Sequence, residues 1–331
     1  MISALAIELS DQALTADISG QLAMVEEGLY EATRSSDPTL AKSSRHLISA
    51  GGKRLRPFLV LLAAQFGDPH DERLVPAAVA LELTHIGTLY HDDVMDGAAL
   101  RRGVPSANAR WGNVLAVLTG DYLLACATRI LAGIGTDAVR IQAETFARLV
   151  EGQKAETLGP RQGDNPISHH LSVLREKTAS LFAACGEFGG LFSGAPAEVT
   201  LRIKRACEAW GIAYQLSDDL LDVASDSAES GKTPGTDLRE GVPTLPMLHA
   251  LGSSRPADAR LVELLRSGEL EDPALHAEAL ALLRANPAMD LARTDARKWA
   301  GIARQEILGL PDGQARAAFL RLCDWVTERT A

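Results

Sequence analysis

Paired cysteines are missing from this sequence. Cys126, Cys185, Cys207 and Cys323 are widely separated, with no Cys-x-x-Cys and no paired histidine spacing. This argues against both a disulfide framework and a zinc site, and predicts buried, reduced thiols. Positive charge is also short: 33 Lys and Arg against 43 Asp and Glu give a net charge of −10. Such a balance disfavours a nucleic-acid partner, and any anionic substrate must be met by a local basic patch. No run of about 18 uninterrupted apolar residues occurs, and Glu8, Asp11 and Asp17 interrupt the N-terminus where a secretory signal needs an apolar core. The expectation is a cytoplasmic protein with at most peripheral membrane contact. Alternating Val/Ile/Thr/Tyr segments, low-complexity tracts, Ser/Gly linkers and short repeats are absent too.

What is present reads as helix. Ser36-Asp37-Pro38 supplies a cap and a first-turn proline. Ala50 to Pro57 is a basic, glycine-containing break, followed by an apolar run from Phe58 to Phe66 and a helix from about Pro76 through Met95. Arg101-Arg102-Gly103-Val104-Pro105 forms a basic loop. Further helices are predicted at 112–133, 137–157, 167–193, 197–225, 243–252, 256–267, 273–285, 288–307 and 312–329. The chain is therefore predicted to be all-α, with residues 1–331 forming a single domain and 251–330 completing the bundle.

Two identical patterns lie inside these helices: Asp92-Asp93-Val94-Met95-Asp96 and Asp218-Asp219-Leu220-Leu221-Asp222. Positions i and i+4 share a helix face and i+1 is turned about 100° away, so each pattern offers two aligned carboxylates and a third beside them. Like charges so placed repel, and a cation is expected. Oxygen-only ligands suit a hard ion, and Mg²⁺ is usual where carboxylates share the metal with a substrate phosphate. The plain alternative is a solvated acidic face. Cations lie near each motif. Lys53, Arg54 and Arg56 sit in a glycine turn before a helix, where backbone N–H groups also favour an anion. Arg101 and Arg102 follow the first motif, and guanidinium groups grip phosphate bidentately. His85 lies two helical turns before Asp92, while Lys177, Thr178 and Gln215 accompany the second motif.

Taken together, Gly51-Gly52-Lys53-Arg54-x-Arg56-Pro57, Glu82-x-x-His85, the first aspartate motif with Arg101-Arg102-Gly103, Lys177-Thr178-Ala179 and Tyr214-Gln215-x-x-Asp218-Asp219-x-x-Asp222 resemble the trans-isoprenyl diphosphate synthases of the polyprenyl synthetase family. Gly231-Lys232 and Asp237 to Gly241 ahead of Thr244-Leu245-Pro246 extend the likeness, which covers about residues 45–250. The resemblance implies an isoprenoid-synthase-type helical bundle around a central apolar cavity, working as a homodimer. It implies that Lys53, Arg56, His85 and Arg102 bind isopentenyl diphosphate. Asp92, Asp96 and Asp218 would be the main ligands of three Mg²⁺ ions, with Asp93, Asp219 and Asp222 making further metal, water or hydrogen-bond contacts. Arg101, Lys177, Thr178, Gln215 and Lys232 would hold the allylic diphosphate and the cation formed from it.

Product length follows from the same geometry. A helical turn rises about 5.4 Å, close to one isoprene unit, so side chains one and two turns before Asp92 should floor the chain's path. They are Thr88, Gly87 and Thr84, none of them bulky. A long all-trans product of about C30–C50 is expected on this spacing, with a geranylgeranyl or farnesyl product as the alternative. A terpene cyclase would normally carry a single such motif, and a non-catalytic modulating subunit would usually lack one; this sequence has both.

Overall fold

A computed structural model describes residues 11–224 and 234–330, and apart from one two-residue hairpin the regular structure among them is helical, with no β-sheet core. By internal packing the chain divides into two compact units. One takes in the described chain up to Ala147, Leu181–Cys207 and Ile307–Arg321; the other takes Arg148–Ser180, Glu208–Glu306 and the described residues from Leu322 onward.

The first unit is organised around helix α4 (Leu74–Met95), whose buried residues lie on all sides from Leu74 to Asp93. A helix that is apolar all round has to be enclosed. It is surrounded by α1 (Gln12–Ala32), α3 (Leu55–Ala64) and α6 (Asn113–Ile134). Asp11 caps α1 by accepting from Leu14 N at 2.8 Å, and Asp37 caps α2 (Pro38–Ser49) by accepting from Leu40 N at 2.8 Å, as the Asp-Pro pair predicts. Each such cap stabilises its helix by about 1 kcal/mol. Tyr90 of α4 is fully buried and its hydroxyl donates to Ser43 O at 2.5 Å, fixing α2 to α4. Gly87 and Gly120 bring α4 and α6 close: a Cβ at Gly87 would lie 3.1 Å from the Gly120 carbonyl oxygen. The outer face of α6 carries exposed Val114, Val117 and Leu118. This helix is long and apolar enough to cross a membrane, with 39% of its most apolar stretch buried.

The basic loop predicted at 101–105 is a small hairpin, β1 (Leu100–Arg101) and β2 (Val104–Pro105), followed by the short helix α5 (Ala107–Trp111). Helices α7 (Thr136–Leu158) and α10 (Ala197–Ala224) follow the predicted bounds within a residue, and α9 (Ser180–Phe192) lies between them. The helix predicted over 167–193 is not uniform. It is α8 (Pro166–Val173), a π-helical turn at Leu174–Ala179, and α9.

In the second unit Ile212, Leu216, Leu220 and Val223 of α10 pack with Leu238 of α11 (Thr236–Glu240), Leu245 of α12 (Leu245–Leu251) and Leu261 and Leu264 of α13 (Ala259–Ser267). Leu283 of α14 (Pro273–Arg284) and Met289 and Ala292 of α15 (Ala288–Leu308) close that core. The last helix is α16 (Gln314–Glu328). All four cysteines are free and buried, as their spacing predicts.

Candidate active site

The three cations between Gly51 and Pro57 have separate tasks. Arg54, in the left-handed region at φ 51, turns inward with its side chain 3% exposed. Its Nε donates to Glu26 Oε1 at 2.7 Å, its Nη1 to Glu82 Oε1 at 3.1 Å, and its Nη2 to the Ile48 carbonyl at 3.1 Å. Arg54 therefore shapes the turn. Lys53 remains exposed, and the Arg56 guanidinium lies over the Phe182 ring at 4.6 Å.

Arg102 and Gly103 occupy the hairpin turn with φ of 54° and 76°. Positive φ at both central residues is what a two-residue type I′ turn requires, and glycine supplies the second at no steric cost. The turn sends its two arginines to different places. Arg101 Nη2 pairs with Asp93 Oδ1 at 2.6 Å, whereas Arg102 Nη1 donates to the carbonyls of Leu47, at 2.7 Å, and Gly51.

The first aspartate motif is thereby differentiated. The Asp93 side chain is fully buried, and burial raises its pKa against the opposing pull of Arg101. Asp92 is partly exposed, and Asp96 is exposed and caps the C-terminus of α4. The backbone carbonyls at a helix C-terminus carry partial negative charge, so these carboxylates stand where a cation is most favoured. His85, on the same helix, lies among basic groups carried by other elements. Burial lowers its pKa well below the usual imidazole value, and Arg56, Arg102, Arg101 and Arg54 reinforce the shift. At neutral pH its imidazole is therefore uncharged.

That shift has a measurable sign. With the folded pKa depressed, the unfolded chain binds the extra proton first, so His85 contributes stability that is present above the unfolded value of about 6.5 and lost below it. Denaturant titrations of the wild-type protein and His85→Gln should converge as pH falls from 7 to 5. Parallel curves would show that His85 is not the group responsible.

In the second unit, Lys177 and Thr178 lie on the π-helical turn, and the Lys177 ammonium pairs with Glu156. Such turns interrupt the regular ladder and recur at functional sites. Gln215 Nε2 donates to Asp219 Oδ1 at 3.1 Å, and His170 Nε2 lies 3.6 Å from Asp219 Oδ2. Asp222 accepts from the backbone N–H groups of Thr236 at 3.2 Å and Asp237 at 3.1 Å, so it caps α11. Asp218 is 37% exposed and pairs with Arg329 Nη2 at 2.7 Å. Gly231 and Lys232 lie outside the described residues.

Each motif thus holds one buried carboxylate with a protein partner, Asp93 or Asp219, and partly exposed carboxylates beside it. Among the described residues no three or more His, Cys, Asp and Glu groups converge on a closed metal site. Mg²⁺ ordinarily takes one or two carboxylates and completes its shell with phosphate oxygens and water. Asp92, Asp96 and Asp218, which keep some exposure to solvent, suit that demand, and Asp218 already attracts a cation in Arg329.

Of the chain-length candidates, Thr84 is fully buried and accepts from Gln142 Nε2 at 2.7 Å, while Thr88 folds its hydroxyl back onto the His85 carbonyl at 2.8 Å. Gly87 faces Gly120 across the α4–α6 contact. The sequence reading left Arg329, Glu156, His170 and Gln142 without roles. Their partners are distant in sequence, and no local spacing announces them.

The family model for polyprenyl synthetase matches residues 37–283. The chain is 48% identical over 324 residues to the nonaprenyl diphosphate synthase of Mycobacterium tuberculosis, covering 98% of this chain and 96% of that protein. It also resembles the crystal structure of geranylgeranyl pyrophosphate synthase from Corynebacterium glutamicum complexed with calcium and isoprenyl diphosphate. There the TM-score is 0.88 at 42% identity, with 98% of this chain and 99% of that one covered. A decaprenyl diphosphate synthase from Rhodobacter capsulatus matches with a TM-score of 0.87 at 34% identity, covering 96% and 99% of the two chains.

Proposed function

Because the chain belongs to the polyprenyl synthetase family, we propose that residues 1–331 act as one catalytic domain making a long all-trans polyprenyl diphosphate of about C30–C50, a length argued from helical rise. It is a Mg²⁺-dependent trans-prenyltransferase that condenses isopentenyl diphosphate with an allylic diphosphate. The observation supporting the longer product is that the positions one and two turns before Asp92 on α4 are Thr88, Gly87 and Thr84, none of them aromatic or bulky.

In this reading Lys53, Arg56, His85 and Arg102 hold the diphosphate of isopentenyl diphosphate. The two arginines and the lysine supply charge, while the neutral His85 supplies a directed hydrogen bond. Arg101, Lys177, Thr178 and Gln215 hold the allylic diphosphate, with Lys232 beside them. Asp92, Asp96 and Asp218 are the carboxylates for three Mg²⁺ ions, which when bound neutralise the charge building on the departing diphosphate. The allylic cation is captured by the double bond of isopentenyl diphosphate, and the released diphosphate takes the proton whose loss restores an alkene. No dedicated histidine or glutamate base is required. Apolar helical walls exclude the water that would otherwise trap the cation as an alcohol.

Mass-resolved product analysis with Mg²⁺, isopentenyl diphosphate and separate C5, C10, C15 and C20 primers tests this reading. Products ending at C30 or beyond are expected; a stop at C20 would replace the long-chain reading with a geranylgeranyl one. Thr88→Phe should shorten the product by at least about one isoprene unit, the rise of one turn, and unchanged product length would remove Thr88 from the chain's path. Gly87→Phe is the poorer probe, because its side chain would strike α6.

A homodimer is the second part of the proposal, with the outer face of α6 as its contact. Val114 is 77% exposed and Leu118 55%, a costly arrangement unless another surface covers them. Val114→Glu with Leu118→Glu should yield a monomer by light scattering. A variant that stays dimeric would place the contact elsewhere.

A further inference from the structure

Arg329 lies on the carboxylate to which metal binding is assigned. Its Nη2 is 2.7 Å from Asp218 Oδ1, and its side chain is only 16% exposed. The guanidinium carbon lies 5.2 Å from the centre of the Tyr214 ring and 4.9 Å from that of Trp325. Those two rings are nearly parallel, 13° apart with centres separated by 6.1 Å, and Trp210 stacks on Tyr214 at 5.2 Å. The platform is itself fixed: Trp210 Nε1 donates to Leu322 O at 3.0 Å, and Arg293 Nε donates to Thr330 O at 2.9 Å on the far side of Arg329. Placement of a planar cation against aromatic faces is favourable, and a partly buried ion pair with hydrogen bonding adds to it.

We propose that Arg329 is a positioning residue that competes with Mg²⁺ for Asp218 and thereby makes metal binding at the second aspartate motif conditional on diphosphate. This rests on the reading of Asp218 as a Mg²⁺ ligand. A metal arriving alone must break the Arg329–Asp218 pair and leave a guanidinium without its carboxylate. A metal arriving with diphosphate displaces the same guanidinium, which then has phosphate oxygens as replacement acceptors. The free-energy difference between these cases is a coupling between metal and diphosphate, and linkage makes it reciprocal.

The experiment uses the full chain and Mn²⁺ as the probe, counted by electron paramagnetic resonance with and without inorganic diphosphate. Tryptophan emission, to which Trp325 and Trp210 contribute, is followed in parallel. In the wild-type protein diphosphate should strengthen Mn²⁺ binding. In Arg329→Gln, Mn²⁺ binding without diphosphate should tighten about tenfold, within the usual range of such couplings, and the enhancement by diphosphate should shrink by a similar factor. Arg329→Lys, which keeps the charge, should fall between the two. A residue that merely braces the fold would leave metal affinity unchanged or weakened on removal, so either result in a variant with wild-type circular dichroism overturns the proposal. Asp218→Asn separates the two failures. If it loses no Mn²⁺, the metal assignment itself is wrong; if it loses Mn²⁺ while Arg329→Gln binds as the wild type does, only the role of Arg329 fails.

Discussion

Replacing Asp92 or Asp218 by asparagine should lower kcat by about a thousandfold, in the range set by removing one preorganised charge from a developing anion. Asparagine keeps the shape and removes the charge, so the loss isolates the electrostatic contribution. Neither residue is fully buried, so the melting temperature should shift by no more than a few degrees. Asp222→Asn is the internal comparison. Its carboxylate caps α11 through two backbone N–H groups, and an amide oxygen can still accept from one of them. A loss of roughly tenfold is expected there, the size of a lost cap or hydrogen bond. Steady-state rates at saturating substrate, taken across a Mg²⁺ titration, make the comparison. Equal losses at Asp218 and Asp222 would contradict the separation of roles within the second motif.

The second large effect concerns stability. Arg54→Gln should destabilise the protein by about 3–5 kcal/mol, because it leaves a buried carboxylate without its cation. Glu82 is 2% exposed and has no water to turn to, whereas Glu26, at 29%, is partly solvated. Glu82 should therefore dominate the cost. Adding Glu82→Gln to Arg54→Gln should recover part of it, since a neutral pair is cheaper to bury than a single orphaned charge. Urea denaturation of the two single variants and the double variant measures the coupling; strict additivity would show that the pair does not interact. Affinity for isopentenyl diphosphate should fall as well, because Arg54 shapes the turn that presents Lys53.

Much of this was legible in the sequence, for identifiable reasons. Helices announced themselves through proline and aspartate at their starts and through continuous apolar periodicity, which is why Asp37-Pro38 predicts α2 correctly. The short hairpin at Arg101–Val104 was missed because two-residue strands leave no alternating pattern; only the glycine hinted at it. The π-helical turn at Leu174–Ala179 was invisible, since one extra residue in a turn does not alter composition. The motifs were legible as sets of carboxylates and cations but not as individuals. Nothing local distinguishes Arg54, which is internal, from Arg56, or Asp222, a cap, from Asp218. Those distinctions depend on Glu26, Glu82, Thr236 and Arg329, partners that folding delivers from elsewhere in the chain. Thr84 shows the same limit, since its partner Gln142 lies on another helix.

The close approach of Gly87 to Gly120 has a mechanical consequence. Protein interiors are close-packed and barely compressible, and at this crossing the Gly120 carbonyl and the Leu123 and Leu124 side chains leave little room even for a Cβ on Gly87. Helix α6 is therefore a stiff plate with α4 bearing directly on its inner surface, and α4 carries Asp92 a little over one turn beyond the bearing point. A load applied to the outer surface of that plate, at Val114 and Leu118, reaches the carboxylates as displacement rather than being absorbed on the way. A partner seated on that surface should therefore shift the first aspartate motif along with α4.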